Sequence, residues 1–401
     1  MIVNFNKAVK IIKSNVKPIQ RTQSILVKDA IGRVLTKLYK SPIDLPEFDC
    51  SAMDGIVINE SDLNKIHKFK IVGESKAGMK KSKRFLSGEC LFIFTGAPLP
   101  PGKKKIIPIE YCKNIDEKFV KIKKEIPLSN FIRKKGSDIT RKKLLIKEKV
   151  EMTLRDISML YSAKIEKLQV LEKPKISVIL TGDEISKKKS IVASNNTLII
   201  TSFAKIFGGD VIDVLYVEDN KKKLSNAFEK LNRFDLLVTS GGISKGKYDF
   251  VKEVLREKEI KFLFEKISIK PGKPTTFGKL PDNRFFLGLP GNPVSCFVTA
   301  FFFMGELLNS FKISKNKSSN YLKALSLDNF TNHTNLTLFL RIKEIEKNNK
   351  KYFKIFQIQD SHMNYVLKES TGLIIVNPKT KIYKNNKYDI ISFKNFLFSY
   401  I

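Results

Sequence analysis

Apolar residues fall along the chain in several distinct rhythms. Near the start, Phe5, Ala8, Ile11 and Ile12 recur at helical spacing. A second amphipathic stretch runs from about Ile25 to Leu35, so residues 1–40 are expected to be helical. Short apolar runs at 68–72, 90–94, 105–109 and 119–122 are separated by glycine and proline turns, which predicts a small β-rich domain. Residues 130–172 return to a helical pattern, clearest over 152–163, and leave by a basic, strand-like exit. They are expected to pack with residues 1–40 as a domain in two pieces.

From Pro174 the pattern becomes alternating strand and helix. Apolar runs at 176–180, 211–217, 236–238 and 262–269 read as strands with helices between them. Asn195 is the expected N-cap of a helix reaching Phe207, stopped by Gly208-Gly209. Such alternation predicts a parallel α/β sheet whose ligands sit at the carboxyl ends of the strands. Beyond residue 318, runs at 336–342, 352–358, 372–376 and 389–393 predict a C-terminal β domain. The expected class is therefore α/β plus β, in several domains. They divide as a helical linker domain (1–45 with 130–172), a β-rich domain (46–129), a central α/β domain (173–312) and a C-terminal β domain (318–401).

Candidate chemistry gathers at the predicted strand ends. Gly241, Gly242 and Gly246 follow the run at 236–238 and remove side chains where the chain turns, so N–H groups there can approach a phosphate. Lys245 and Lys247 add positive charge. Asp183 and Glu184, Glu218 and Asp219, and Asp249 follow three separate strands. Hard oxygen donors at neighbouring strand tips suit Mg²⁺ bridged to phosphate. Helix capping by an acid accounts for any one of these sites, but less well for all three. In Lys270-Pro-Gly-Lys273-Pro274 two prolines and a glycine fix a turn bearing two ammonium groups, a fit for an oxyanion. Gly291-Asn292-Pro293 combines an N-cap with a first-turn proline, and the helix start offers free N–H groups.

Elsewhere, Asp54 stands among Ser51, Ala52 and Gly55 in a tight turn, although Asp-Gly is also a plain turn signal. Thr95 is the one hydroxyl in a rigid Thr-Gly-Ala-Pro loop, and Asp138 the one acid in a basic turn. Arg341 and Ser361 are candidate anion contacts. Gly242-Ile-Ser244-Lys-Gly246 also fits a G-x-S-x-G nucleophile elbow. That reading needs a later histidine base, and only His333 and His362 follow, neither with an acid partner by spacing.

The totals change the picture little. Hydrophobic residues make up 42% of the 401, enough for folded structure throughout. The net charge of +34 (74 basic minus 40 acidic residues) raises nucleic-acid binding as an alternative. The lysines, however, are spread along the chain, and abundant Lys, Ile, Asn and Phe with no Trp suit compositional drift; charge reports on association, not fold. The four cysteines have no C-x-x-C spacing, which excludes the usual zinc and redox motifs and suits a reducing compartment. The first residues lack a basic region followed by an apolar core, and the longest apolar run, 294–304, is shorter than the ~20 residues a bilayer needs. A cytoplasmic protein without membrane contact is expected.

Seven runs, in order, carry a resemblance: Asp49-Cys-Ser-Ala-Met-Asp-Gly55; Phe94-Thr-Gly-Ala-Pro98; Ile132-Arg with Gly136-Ser-Asp138-Ile139; Thr181-Gly-Asp-Glu184; Ser240-Gly-Gly-Ile-Ser244 with Gly246-Lys-Tyr-Asp249; Lys270-Pro-Gly-Lys-Pro274; and Gly288-Leu-Pro-Gly-Asn-Pro293. Together they resemble the molybdopterin molybdenumtransferase family, of the MoeA and gephyrin E-domain type. The resemblance implies a four-part architecture with a molybdopterin-binding α/β domain, and an elongated homodimer. It implies insertion of molybdate, as substrate, into adenylylated molybdopterin with Mg²⁺, releasing AMP and molybdenum cofactor. It implies transient contact with the molybdopterin adenylyltransferase and with cofactor-accepting enzymes.

By motif, Asp54, Thr95, Asp138, Glu184, Glu218 and Asp249 match positions that the family uses around its active site. Ser244, Lys270, Lys273, Arg341 and Ser361 match molybdate or substrate contacts. Glu218 stands where the family usually has aspartate, Cys50 replaces a common asparagine and Lys104 a common aspartate. The expected assignment is Asp54, Thr95, Asp138, Lys270 and Lys273 as catalytic. Gly241, Gly242, Ser244, Pro274, Gly291, Asn292, Arg341 and Ser361 are expected to bind substrate, and Asp183, Glu184, Glu218, Asp219 and Asp249 to bind metal. Two rivals are a scaffold that keeps the fold but has lost catalysis, and a basic nucleic-acid binder.

Overall fold

The computed structural model describes residues 1–113, 116, 118–181, 191–231, 233–241, 250–312 and 321–394. Helix α1 (Phe5–Asn15) starts at Asn4, whose side chain accepts from the Lys7 N–H at 2.8 Å. Its buried residues Ala8 and Ile12 join the core of the central sheet. The expected second helix at 25–35 is absent. Thr22–Leu26 is a strand, antiparallel to Lys167–Leu171, followed by one 3₁₀ turn at Val27–Asp29. Five consecutive residue pairs in that ladder satisfy backbone groups across 140 residues of sequence, and tertiary pairing overrides a weak helical pattern.

Only part of 130–172 is helical. Helix α2 (Leu154–Ser162) opens with a capping box in which Thr153 and Asp156 each satisfy the other's backbone N–H. Residues 130–150 are extended and turn repeatedly, with positive φ at Phe131, Gly136, Lys142 and Lys149, which no helix tolerates. Residues 25–39 and 145–170 share one hydrophobic cluster, separate from the one that receives α1.

The β-rich module holds a six-stranded sheet in the order Lys104–Pro108, Gly55–Asn59, Glu89–Ile93, Lys68–Ser75, Phe119–Ile122, Cys112–Lys113. All four expected strands are present. Gly55–Asn59, which follows the Asp54 turn, lies between two of them, with Ile56, Val57 and Ile58 fully buried.

The central sheet has six strands: β1 (Lys175–Thr181), β2 (Asp210–Val217), β3 (Leu236–Ser240), β4 (Lys261–Phe264), β5 (Thr276–Lys279) and β6 (Phe285–Leu289). Their order is β2-β1-β3-β6-β5-β4. The first four in that order are parallel; β5 and β4 are antiparallel additions, so the sheet is mixed rather than wholly parallel. The run expected at 262–269 is three pieces: β4, then Lys266–Ile267 beside Ile2–Val3, then Ile269–Lys270 beside Thr337–Leu338. Helix α3 (Ile191–Ile206) begins a turn before Asn195, so Asn195 is not its cap. It does stop at the two glycines, with Gly208 at φ +81° and the Gly209 N–H returning to the Ala204 carbonyl. Helices α4 (Lys221–Lys230) and α5 (Phe250–Glu257) cover one face of the sheet, while α3 and α1 pack against the other.

Helix α6 (Pro293–Thr299) is capped as expected, with Asn292 accepting from the Val294 and Ser295 N–H groups. It continues to Ser310 through a π turn. This 18-residue run has membrane-like hydropathy, but 67% of it is buried inside the fold, as in a core helix. The C-terminal strands Thr337–Lys347, Lys350–Ile355, Tyr321–Ser326, Lys387–Ser392 and Gly372–Val376 pair in that order, and the last pairs back with the first. This closes a five-stranded barrel that has no free edge among these strands.

Candidate active site

The parallel register puts several predicted residues on one edge of the central sheet. Thr181 lies beside Val217, Leu180 beside Ser240, and Ser240 beside Leu289. The tips leading to Glu218, Gly241 and Gly291-Asn292 are therefore neighbours. Strand β5 runs the other way, so its first residue, Thr276, starts at this same edge beside Gly288. The Lys270–Lys273 turn and Pro274 feed directly into it.

Close packing at this edge depends on glycine. Gly241 has φ +93°, and a Cβ there would lie 2.2 Å from the Thr181 carbonyl oxygen. A Cβ on Gly291 would lie 3.6 Å from Gly241 Cα, so the two turns touch. Gly272, between the two lysines, packs against helix α6: a Cβ there would sit 2.2 Å from Thr299 Cγ2. The side chains of Lys270 and Lys273 are exposed. At the far tip, Glu218 is ion-paired with Lys223, which stands in the first turn of α4. Gly242, Ser244 and Asp249, like Asp183 and Glu184, lie outside the described residues. Among the described residues no group of three His, Cys, Asp or Glu side chains is arranged to hold a metal.

A second cluster forms in the β-rich module. Ser51 pairs with Ile132, Cys50 bridges to Pro98, and Leu45 bridges to Ile139. These contacts knit the three motif loops carrying Asp54, Thr95 and Asp138. Asp54 Oδ1 accepts from the Thr95 N–H at 2.7 Å and from the Thr95 hydroxyl at 2.9 Å. These donors, the N–H first, hold the Asp54 carboxyl below its ordinary range. Burial pushes Asp49 up, but Lys134 and the Lys135 N–H outweigh it and leave the group lowered. Asp138 is exposed, and its N–H donates to the Leu45 carbonyl. This cluster and the sheet edge stand on separate cores: the hydrophobic clusters of the β-rich module draw every member from 56–132.

Arg341 departs from expectation. Its residue is 2% exposed, and its donors are spent inside the protein. Nη1 donates to the Met363 carbonyl at 3.1 Å, Nη2 to the Asp360 carbonyl at 3.0 Å and Nε to Gln359 Oε1 at 3.2 Å. Burial lowers the guanidinium pKa, partly offset by Asp360. The geometry makes Arg341 a clamp on the 356–363 loop rather than an anion contact. Ser361 is on that loop, half-buried.

Two residues escaped the sequence reading. Asn196 sits on the buried stripe of α3 with Ile200, Phe203 and Phe207, and is 3% exposed. A polar residue on an apolar stripe was the available signal. Lys105 is 3% exposed, and its ammonium donates to the carbonyls of Pro127, Leu128 and Ser129 at 2.7–2.9 Å. It braces the segment that enters the Asp138 loop. A lysine inside an apolar strand was the signal there.

The architecture is that of a MoeA-type protein. Residues 3–163 match the MoeA N-terminal region (domains I and II), and residues 177–309 match the probable molybdopterin-binding domain. A molybdopterin molybdenumtransferase of Haemophilus influenzae is 34% identical over 286 residues, covering 70% of each chain. One from Staphylococcus aureus is 25% identical over 332 residues, covering 80% of this chain and 78% of that one. The crystal structure of a MoeA protein from Pyrococcus horikoshii superposes with a TM-score of 0.72 at 24% identity, over 98% of this chain and 99% of that one, and shows the shared fold. The chain belongs to the molybdopterin molybdenumtransferase family.

Proposed function

We propose that this protein is the molybdenum-inserting transferase of molybdenum cofactor biosynthesis. It takes molybdate and adenylylated molybdopterin, and releases AMP and molybdenum cofactor. One observation carries the reading: the glycine turns at Gly241 and Gly291, the strand tip that leads to Glu218, and a turn with two exposed ammonium groups share one edge of the central sheet.

Gly241, Gly242 and the Gly291-Asn292 turn are assigned to offer backbone N–H groups to the phosphates, and Ser244 and Pro274 to bind the same nucleotide. Lys270 and Lys273 hold molybdate with exposed ammonium groups carried on a turn whose backbone is packed on Thr299. Attack on the adenylate phosphorus breaks its bond to the bridging oxygen, which leaves with the pterin's own phosphate. With water as nucleophile the product is AMP directly. With a molybdate oxygen, AMP leaves only when the Mo–O bond of the resulting adenylyl-molybdate breaks, that oxygen going with AMP and the molybdenum passing to the dithiolene sulfurs. Asp54, with one oxygen fixed by Thr95, acts with Asp138 to orient the reacting groups. Glu218 and Asp219, with Asp183, Glu184 and Asp249, are hard oxygen donors whose chemistry suits Mg²⁺. Glu218 would exchange its Lys223 partner for the ion. When bound, Mg²⁺ supplies charge neutralisation at the phosphate linkage.

The reading includes a cytoplasmic homodimer that meets the adenylyltransferase and cofactor-accepting enzymes transiently. It also includes four parts: 1–45 with 130–172, 46–129, 173–312 and 318–401. The test is AMP production from adenylylated molybdopterin with molybdate and Mg²⁺. Asp249→Ala is expected to abolish Mg²⁺-dependent AMP release without unfolding the protein. Unchanged turnover in that variant removes the metal role.

A further inference from the structure

The sheet edge is held together from below by one side chain. Asn196 Nδ2 donates to Ser240 Oγ at 3.0 Å and to the Gly291 carbonyl at 2.6 Å. Ser240 Oγ in turn donates to the Pro290 carbonyl at 3.1 Å. The chain of bonds therefore runs from helix α3 to the end of β3 and on to the turn after β6. Those are the two turns that meet at Gly241 and Gly291. Asn196 Oδ1, by contrast, is buried and accepts nothing among the described residues.

Burying an unmet acceptor costs stability, and a leucine at this place would continue the apolar stripe of Ile200 and Phe203 without that cost. What leucine cannot do is tie Ser240 to Gly291. We propose that Asn196 is a positioning residue for the pterin nucleotide: it fixes the spacing of the Gly241 and Gly291-Asn292 turns whose N–H groups receive the phosphates. This rests on the function proposed above for that edge. Asn196 does not act on molybdate, which belongs to Lys270 and Lys273 across β6 and β5.

Two readouts test it on the full chain. Asn196→Leu should raise KM for adenylylated molybdopterin about 10-fold while KM for molybdate stays within about 2-fold. Amide exchange should quicken about 10-fold at 241, 291, 292, 294 and 295, with the amides of α1 unchanged. If Asn196→Leu does not fold, Ser240→Ala, which cuts the same strut by removing one hydroxyl, carries both arms. Unchanged exchange at both turns overturns the proposal, as does faster exchange throughout with both KM values rising together, the mark of a merely structural residue. Should the wild-type protein release no AMP, the functional reading fails, and the exchange measurement still decides whether Asn196 sets the two turns.

Discussion

Two cationic regions lie along one ladder and end in opposite states. Lys270 pairs through its backbone with Leu338, and Arg341 follows three residues later on the same strand. The lysine turn is rigid in its backbone, while its ammonium groups face outward. Arg341 is the reverse: the guanidinium itself is fixed, by two carbonyls and a side-chain amide. A cation can receive a ligand only with donors that the fold has not already spent. The lysines have that capacity, and Arg341 has given most of its own to the 356–363 loop.

Three variants break or sharpen this contrast. The largest effect is expected from replacing Lys270 and Lys273 together with alanine. Removing preorganised charge from a reacting anion should lower molybdate-dependent AMP release about 100-fold. Because both side chains are exposed, stability in urea should move by no more than about 0.5 kcal/mol. A large fall in stability would mean that the turn is held by its ammonium groups, and the contrast would be lost.

Arg341→Met should do the opposite. It removes the charged donor from the Met363 and Asp360 carbonyls and from Gln359 Oε1, each of which keeps one backbone N–H, from Leu367, Met363 and residue 341 in turn. The expected loss is about 2 kcal/mol in urea denaturation. KM for molybdate in the folded fraction should stay unchanged. An intact urea midpoint with a raised molybdate KM would return Arg341 to the substrate.

The sequence made Arg341 and the lysines look alike, because it shows charge but not which donors are free. The same limit runs through the fold. Strands β1 and β3 were legible, since strands buried on both faces read as continuous apolar runs. Strand β6, equally buried, was not read as a strand because it runs straight into the Pro290-Gly-Asn-Pro turn. Strand β5, Thr-Phe-Gly-Lys, has no such run and owes its place to pairing with β6. Thr22–Leu26 carried a pattern that suits a helix, and only its partner 140 residues away makes it a strand. Asn292 was legible because a cap and a first-turn proline act within four residues. Asn196 was not, because its meaning lies in Ser240 and Gly291, 44 and 95 residues off.

Asp54 stands between the two extremes and gives the smallest effect. One of its oxygens is spent on two donors from Thr95, and the other accepts nothing among the described residues. Its pKa is held low in the folded state, so its contribution to stability is present above the unfolded carboxyl range and is lost as pH falls through the lower, folded value. Thr95→Val removes the hydroxyl and keeps the N–H, the larger of the two causes. The carboxyl should therefore rise only part of the way toward its ordinary range, and the acid limb of stability should begin at slightly higher pH. An NMR titration of the Asp54 carboxyl reads this directly. No movement would show that the backbone N–H alone sets the group, leaving the Thr95 hydroxyl free to serve the substrate.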